Sequence, residues 1–90
     1  MSRKRQILAV DDNSISLATI EQELDREFEV IPLNSGVRAL QYLKKEEQKP
    51  DLILLDIEMP KMNGFEVLKI LKECHETATT PIIFLTGFMD

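Results

Sequence analysis

The sequence predicts an α/β protein, a doubly wound parallel sheet of four strands with helices on both faces. Four short apolar runs alternate with three segments whose apolar residues recur at helical spacing. Such short runs, bounded by polar residues, are typical of strands buried on both faces. Their alternation with helices favours right-handed crossovers and hence parallel strands. The length of 90 residues and the apolar content of 43% suit a single domain over residues 1–90.

The first strand and helix occupy the first quarter of the chain. Residues 6–10 form an apolar run that ends in two acids. Residues 14–24 then have helical periodicity, and either Asn13 or Ser14 can cap the helix by accepting a backbone hydrogen bond. The apolar residues of this helix are Ile15, Leu17, Ala18, Ile20 and Leu24.

A second strand and helix follow. We predict a strand at residues 28–33, and Pro32 favours an edge position because proline cannot donate to a strand ladder. The polar break at 34–36 ends it. The next helix ends in the charged segment 44–49, and its apolar residues are Val37, Leu40, Tyr42 and Leu43.

The third strand, third helix and fourth strand complete the pattern. Four aliphatic residues at 52–55 predict a buried strand, and Asn63 with Glu66 has the spacing of a helix capping box. Residues 77–81 connect this helix to a fourth strand at 82–85. The apolar face of the third helix is assigned to Phe65, Val67, Leu68, Ile70 and Leu71.

Charge and composition exclude several classes of function. A net charge of -5 disfavours a nucleic-acid surface, and the basic run at 3–5 is interpreted as a solvated leader. No apolar run approaches the ~20 residues that cross a bilayer, and no signal-peptide core follows the basic run. One cysteine, Cys74, fits a reducing cytoplasm, where we expect the protein to be. Cys74 and His75 are interpreted as a partly buried thiol and a surface imidazole rather than a metal site.

Acidic residues follow two of the predicted strands. Asp11 and Asp12 follow the first strand, Asp56 follows the third, and Thr86 follows the fourth. If the strand order is 2-1-3-4, the first and third strands are neighbours at the point where ligands bind in such sheets. Three carboxylates would then converge and repel one another unless a hard divalent cation such as Mg²⁺ neutralised them.

A carboxylate beside such a cation can attack phosphorus and form an acyl phosphate. Each acid taken alone is also an ordinary cap or turn residue, so on the residues alone both interpretations stay open. Glu58 is either a further ligand or a solvated loop residue.

The residues at these positions resemble the receiver domain of bacterial response regulators, which has the flavodoxin/CheY-like fold. Asp11-Asp12 follows an apolar strand, the stretch D-I-E-M-P-K-M-N-G begins at Asp56, and P-I-I-F-L-T ends at Thr86. In that family an aspartate is followed at these spacings by Met-Pro and then Gly. The resemblance covers essentially the whole chain.

The resemblance implies a role for each residue in a two-component phosphorelay. Asp56 would be the phosphoacceptor, and a phosphohistidine on a sensor kinase or phosphotransfer protein would be the donor. Asp12 and Asp56 would bind Mg²⁺ directly, Asp11 would assist, and the backbone carbonyl of Glu58 would supply another ligand. Thr86 would be the switch hydroxyl, and the Glu58 side chain would tune the lifetime of the aspartyl phosphate.

The chain also departs from the family pattern. Family domains have about 120 residues and five strands, so we expect residues 1–90 to be an incomplete domain that lacks helix 4, strand 5 and helix 5. The family's phosphoryl-contacting lysine would be missing, and Lys61 lies in the wrong loop to replace it. Gly87 stands where Ala or Ser is usual. We therefore expect phosphorylation to be impaired.

An uncovered fourth strand predicts association of the chain with itself. Residues 82–85 would form an open edge, and the helix at 14–24 would lose a neighbour. We expect a homodimer or a segment-exchanged oligomer, with this strand and helix in the contact, and no direct contact with nucleic acid or membrane.

Two other functions compete with the phosphorylated signalling module, which is itself not an enzyme. One is a phosphorylation-independent interaction or dimerisation module of the same fold. The other is a phosphatase of the haloacid-dehalogenase type, which needs a second aspartate where this chain has Glu58.

Overall fold

The computed structural model describes residues 4–45 and 49–85. Four strands alternate with three helices along the chain. They are β1 (Arg5–Val10), α1 (Ser14–Leu24), β2 (Phe28–Leu33), α2 (Gly36–Lys45), β3 (Leu52–Asp56), α3 (Gly64–Glu73) and β4 (Ile82–Leu85). The strands form one parallel sheet in the order β2-β1-β3-β4, which confirms the predicted fold class. Pro32 lies in β2 at one edge of this sheet, as predicted.

Helices cover both faces of the sheet, and each face has its own apolar core. On the first face α2 and α3 pack over the central strands, and the buried residues are Leu8, Val10, Ala39, Leu43, Ile53, Leu55, Met59, Val67 and Leu71. On the second face α1 packs over β1 and β2, and the residues in contact are Ala9, Leu17, Ile20, Leu24, Phe28 and Val30. Burial on both faces explains why the central strands are nearly continuous apolar runs.

Side-chain caps fix where two helices begin. The Asn13 side chain accepts hydrogen bonds from the backbone N–H groups of Ile15 and Ser16, so Asn13 rather than Ser14 caps α1. Asn63 and Glu66 form the predicted capping box at α3, each side chain accepting from the other's backbone N–H. Both caps satisfy donors that a helix N-terminus leaves free.

Several apolar residues assigned to helix faces are in fact exposed. In α3, Val67 and Leu71 are buried, whereas Phe65 is 56% and Ile70 40% exposed. In α1, Ile15 is 76% exposed although it belongs to the helical pattern. Residues four apart share one stripe of a helix, and in α3 the stripe through Val67 and Leu71 is the one buried in the core.

The segment after α3 differs from its interpretation as a simple connection. The hydroxyl of Thr77 is buried and donates a 2.8 Å hydrogen bond to the carbonyl of Leu71 near the end of α3. Cys74 is exposed, so the expectation of a partly buried thiol was wrong. Across the described parts of the chain, no helix combines the length and apolarity needed to span a membrane.

Candidate functional site

The register of β1 and β3 brings acidic residues from distant parts of the chain together. Val10 pairs with Leu55 in this parallel ladder. The residues that follow them, Asp11 and Asp56, therefore lie side by side at the carboxyl ends of the strands. Sheet order and register together create this juxtaposition.

Asp11, Asp12 and Asp56 form one compact carboxylate cluster. One carboxylate oxygen from each residue lies within 4.8 Å of the others, and within the described ranges this is the group of acids that could hold a metal ion. Asp11 and Asp56 are each only 6% exposed, whereas Asp12 is exposed. The cluster thus has two buried members and one open to solvent.

Backbone groups hold the two buried carboxylates in place. The N–H of Asp11 donates to the Leu33 carbonyl at 3.1 Å, which ties the end of β1 to the end of β2. The N–H of Asn13 donates to Asp11 Oδ1 at 2.9 Å. The backbone N–H of Glu58 lies near the Asp56 carboxylate and acts to lower its pKa. These bonds orient the acids but leave oxygen lone pairs available.

The surroundings of Asp56 make its ionised form costly. Burial is the largest cause, and the neighbouring Asp11 carboxylate adds repulsion and a shared hydrogen bond. Together they raise the pKa of Asp56 from 3.8 to about 6, against the opposing effect of the Glu58 N–H. The ion pairs seen between described residues, Arg5 with Asp51 and Lys49 with Glu76, lie away from the cluster.

The loop after Asp56 has a tightly constrained backbone. Lys61 has a positive φ of 72°. The N–H of Met62 donates to the Pro60 carbonyl at 2.7 Å, so Lys61 is the central residue of a three-residue turn. Met59 is buried in the core. These contacts fix the course of the chain from the acidic cluster to α3.

Gly64 closes this loop against the strand that carries Asp56. A β-carbon at Gly64 would lie 2.4 Å from the backbone oxygen of Asp56 and 2.9 Å from the α-carbon of Ile57. The Gly64 N–H also donates to the Ile57 carbonyl at 2.8 Å. Only glycine permits this close approach of two backbone segments.

We expect Gly64→Ala to destabilise the fold by about 2–3 kcal/mol, because rigid backbone atoms would have to move. Urea unfolding followed by circular dichroism measures this. Gly36→Ala is the comparison, since a β-carbon there would lie 2.7 Å from a methyl group of the buried Val67 and no closer than 3.4 Å to backbone, so it should cost less than at Gly64. An equal cost at both glycines would contradict the close-approach explanation.

The structure brings together three of the predicted site residues and places the others as follows. Glu58 lies two residues after Asp56, and its side chain is exposed. Thr86 and Gly87 lie outside the described residues. The backbone N–H of Asn13 and the carbonyl of Leu33, which hold Asp11, were not predicted. An Asp side chain at the start of a turn commonly accepts from the backbone N–H two residues on, so Asp11 after the first strand was the available signal.

Comparisons with known proteins agree with this geometry. The sequence profile described as the response regulator receiver domain matches residues 7–90. The polar-differentiation response regulator DivK of Brucella ovis is 34% identical over 85 residues, which are 93% of this chain and 68% of DivK. A probable cyclic di-GMP phosphodiesterase of Vibrio cholerae is 43% identical over 82 residues. This match covers 90% of the chain but only 18% of that relative.

Solved structures show the same fold. The crystal structure of the phosphorylated cyanobacterial phytochrome response regulator RcpA superposes with a TM-score of 0.87 at 30% sequence identity. The match covers 98% of this chain and 69% of RcpA. Sequence, topology and the acidic cluster thus agree, and the chain belongs to the family of response regulator receiver domains found in two-component signalling.

Proposed function

We propose that Asp56 accepts a phosphoryl group from a phosphohistidine, carried by a sensor histidine kinase or a phosphotransfer protein, with the help of Mg²⁺. The observation that carries the proposal is the cluster of three carboxylates within 4.8 Å, two of them buried. Membership of the receiver family and the phosphorylated state of the relative RcpA support it.

The donor set fits a hard divalent cation. Asp11, Asp12 and Asp56 offer only oxygen ligands, which suit Mg²⁺, and their mutual repulsion favours a positive ion between them. The backbone carbonyl of Glu58 is proposed as a further ligand. When bound, the ion supplies positive charge that offsets the charge of the phosphoryl oxygens.

The chain's own residues position and activate the acceptor. The Asp56 carboxylate is the nucleophile: one of its oxygens forms the new O–P bond while the P–N bond of the phosphohistidine breaks and the imidazole leaves with the electron pair. The Glu58 N–H favours the ionised form of this carboxylate. Because the pKa of Asp56 is raised to about 6, Asp56 is ionised at neutral pH yet poorly solvated. Thr86 is proposed as the hydroxyl that responds to the new group.

We also propose that this 90-residue chain accepts the phosphoryl group slowly. In the described parts of the chain, neither ion pair involves the carboxylate cluster, so no described lysine or arginine forms an ion pair with the acids that would receive the group. Electrostatic neutralisation is the main catalytic contribution to phosphoryl transfer. Lys61, in the β3–α3 loop, is exposed.

The test is incubation with acetyl phosphate and Mg²⁺, followed by intact-mass and peptide mass spectrometry. We expect partial modification at Asp56 that requires Mg²⁺, and fluorine NMR with beryllium fluoride gives an independent signal. Complete modification would overturn the proposed slowness. The absence of any modification, or modification at another residue, would overturn the assignment of Asp56 in this chain.

A further inference from the structure

A groove of about 380 Å³, here called the α2–α3 groove, lies between α2 and α3. Two leucines at its base, Leu43 and Leu71, are 5% and 2% exposed and belong to the larger core. Two aliphatic residues at its rim, Val37 and Ile70, are 43% and 40% exposed. The apolar residues that line it are Val37, Leu40, Leu43, Met62, Ile70 and Leu71. This concave apolar surface is left open to solvent by the described residues around it.

The groove lies on the flank of α3 that faces away from β4. Phe65, in the first turn of α3, contacts Phe84 of β4 at a ring-centroid distance of 5.2 Å. At about 100° per residue, Ile70 and Leu71 lie about 140° and 120° around the helix from Phe65. All residues that line the groove fall between 37 and 77 in the chain. The groove therefore does not depend on what lies beyond β4.

A second depression of about 560 Å³ extends the groove toward the loop between β3 and α3. It shares Val37, Gln41 and Met62 with the α2–α3 groove, and it adds Arg38 and Lys61 to the lining. The combined surface runs along α2, whose ten residues are about 15 Å long. This length suits about three turns of another helix.

Basic side chains predominate along this surface, although the chain as a whole is acidic. Four cations line it, against one carboxylate, and they are Arg38, Lys44, Lys49 and Lys61 against Glu76. The Glu76 carboxylate lies 3.6 Å from Lys49 Nζ, so these two charges offset each other. The ion pairs between described residues do not include the other three cations. In a chain with 16 acidic and 11 basic residues, this local excess of positive charge favours a negatively charged partner.

The backbone of the walls favours a helix as the occupant. Both walls are helices, so their backbone N–H and carbonyl groups are already paired within each helix. An extended segment would find no free backbone groups there and would lose hydrogen bonds that it makes with water. A helix pairs its own backbone groups and can place one apolar side in the groove. An anionic membrane surface has no ridge that would fill a concave groove, and the net charge of -5 opposes it.

We propose that the α2–α3 groove docks an amphipathic, acidic helix of a partner protein. The apolar side of that helix covers Val37 and Ile70, and its acidic residues lie beside Arg38, Lys44 and Lys61. Burial of the apolar side supplies most of the affinity, and the charges set orientation and association rate. Docking requires no phosphorylation of Asp56, so the proposal stands apart from the proposed function.

The probe is a synthetic peptide of about 18 residues, long enough to form a helix in water, with leucines along one side and glutamates beside them. It is titrated into the isotope-labelled chain and followed by NMR. We expect saturable shifts at Val37, Ile70 and Cys74, with a dissociation constant below about 1 mM. A peptide with lysines in place of the glutamates should bind at least about tenfold more weakly.

Two substitutions in the groove have matched controls outside it. Ile70→Glu should weaken binding of the acidic peptide at least about tenfold, because it removes apolar contact and adds like charge. Ile15→Glu makes the same change at an exposed residue on the other face of the sheet and should have no effect. Lys44→Glu should weaken the acidic peptide and strengthen the lysine peptide. Lys69→Glu, at an exposed position on α3 outside the groove, changes the net charge equally and should do neither.

Cys74 gives a second measurement that needs no substitution. It is the one cysteine in the sequence, it is exposed, and it lines the groove. The backbone N–H of Glu76 and the side chain of Thr77 lower the pKa of its thiol, which favours reaction with iodoacetamide near neutral pH. A saturating amount of the acidic peptide should slow alkylation of Cys74 at least about fivefold, because the docked helix covers the thiol.

Four results would overturn the proposal. They are the absence of saturable binding, equal binding of the two peptides, an equal effect of a groove variant and its control, and unchanged alkylation of Cys74 at saturation. Circular dichroism checks that Ile70→Glu is folded, and the exposed Lys44 supplies the test if it is not. Vesicles of phosphatidylglycerol should leave the chain in the supernatant on sedimentation. Co-sedimentation that Lys44→Glu abolishes would assign the basic residues to a membrane surface and also refute the docked helix.

Discussion

Asp56→Asn should abolish phosphorylation of the chain and, without Mg²⁺ at pH 7, raise its free energy of unfolding by about 1–2 kcal/mol. Asparagine keeps the shape of the side chain but removes both the nucleophile and the buried negative charge. The pKa of Asp56 is raised to about 6 in the folded chain by burial and by Asp11. A raised carboxyl pKa means that ionisation of this group opposes folding.

The sign of the pH dependence follows from proton binding. Between pH 3.8 and about pH 6, the folded chain holds the Asp56 proton more tightly than the unfolded chain does. The free energy of unfolding therefore falls as pH rises through this interval, and the full cost of ionising Asp56 in the folded chain is present at neutral pH. Asp56→Asn should remove this part of the pH dependence.

Urea unfolding at pH 4, 5, 6 and 7 without divalent cation tests this prediction, and mass spectrometry with acetyl phosphate tests the loss of phosphorylation. Glu23→Gln is the control, since it neutralises an exposed carboxylate on α1. If Asp56→Asn loses as much stability between pH 4 and 6 as the wild type does, the burial and repulsion assigned to Asp56 are wrong.

Leu8→Ala should remove a large fraction of the chain's free energy of unfolding. Leu8 is 0% exposed and lies in β1 at the centre of the sheet, inside the larger apolar core. Removing such a side chain costs about 3–5 kcal/mol through lost burial and the cavity left behind. A domain of this size has roughly 5–13 kcal/mol in total, so the loss is a large fraction of it.

Circular dichroism during urea unfolding measures this loss as a fall in the transition midpoint. Ile15→Ala is the control because Ile15 is 76% exposed, and it should cost less than about 0.5 kcal/mol. A Leu8→Ala chain as stable as Ile15→Ala would show that the sheet centre is not the main source of stability.

Local patterns were sufficient to predict the architecture. The strands Phe28–Leu33 and Ile82–Leu85 and the helix Ser14–Leu24 lie where the sequence placed them, because apolar runs, caps and breaks are properties of short segments. The exposure of Phe65 and Ile70 could not be predicted, since helical periodicity does not show how wide a stripe the neighbouring strands cover.

The candidate site was predictable as a set of acids but not as a geometry. Placing Asp11 beside Asp56 required the strand order 2-1-3-4, which the alternation of strands and helices leaves open and the resemblance to the receiver family implies. The raised pKa of Asp56 depends on burial and on the distance to Asp11, and neither is a property of the local sequence. The bonds from Asp11 to Leu33 and Asn13 likewise depend on packing.

Titration of the isotope-labelled chain with Mg²⁺, followed by NMR, is the measurement that most directly tests whether Asp11, Asp12 and Asp56 share one cation. We expect one saturable site per chain at millimolar Mg²⁺, with shifts concentrated at the ends of β1 and β3. Asp12→Asn, at an exposed position, should weaken binding by at least about tenfold without unfolding the chain. Shifts that do not saturate, or equal binding by Asp12→Asn, would contradict a shared cation site.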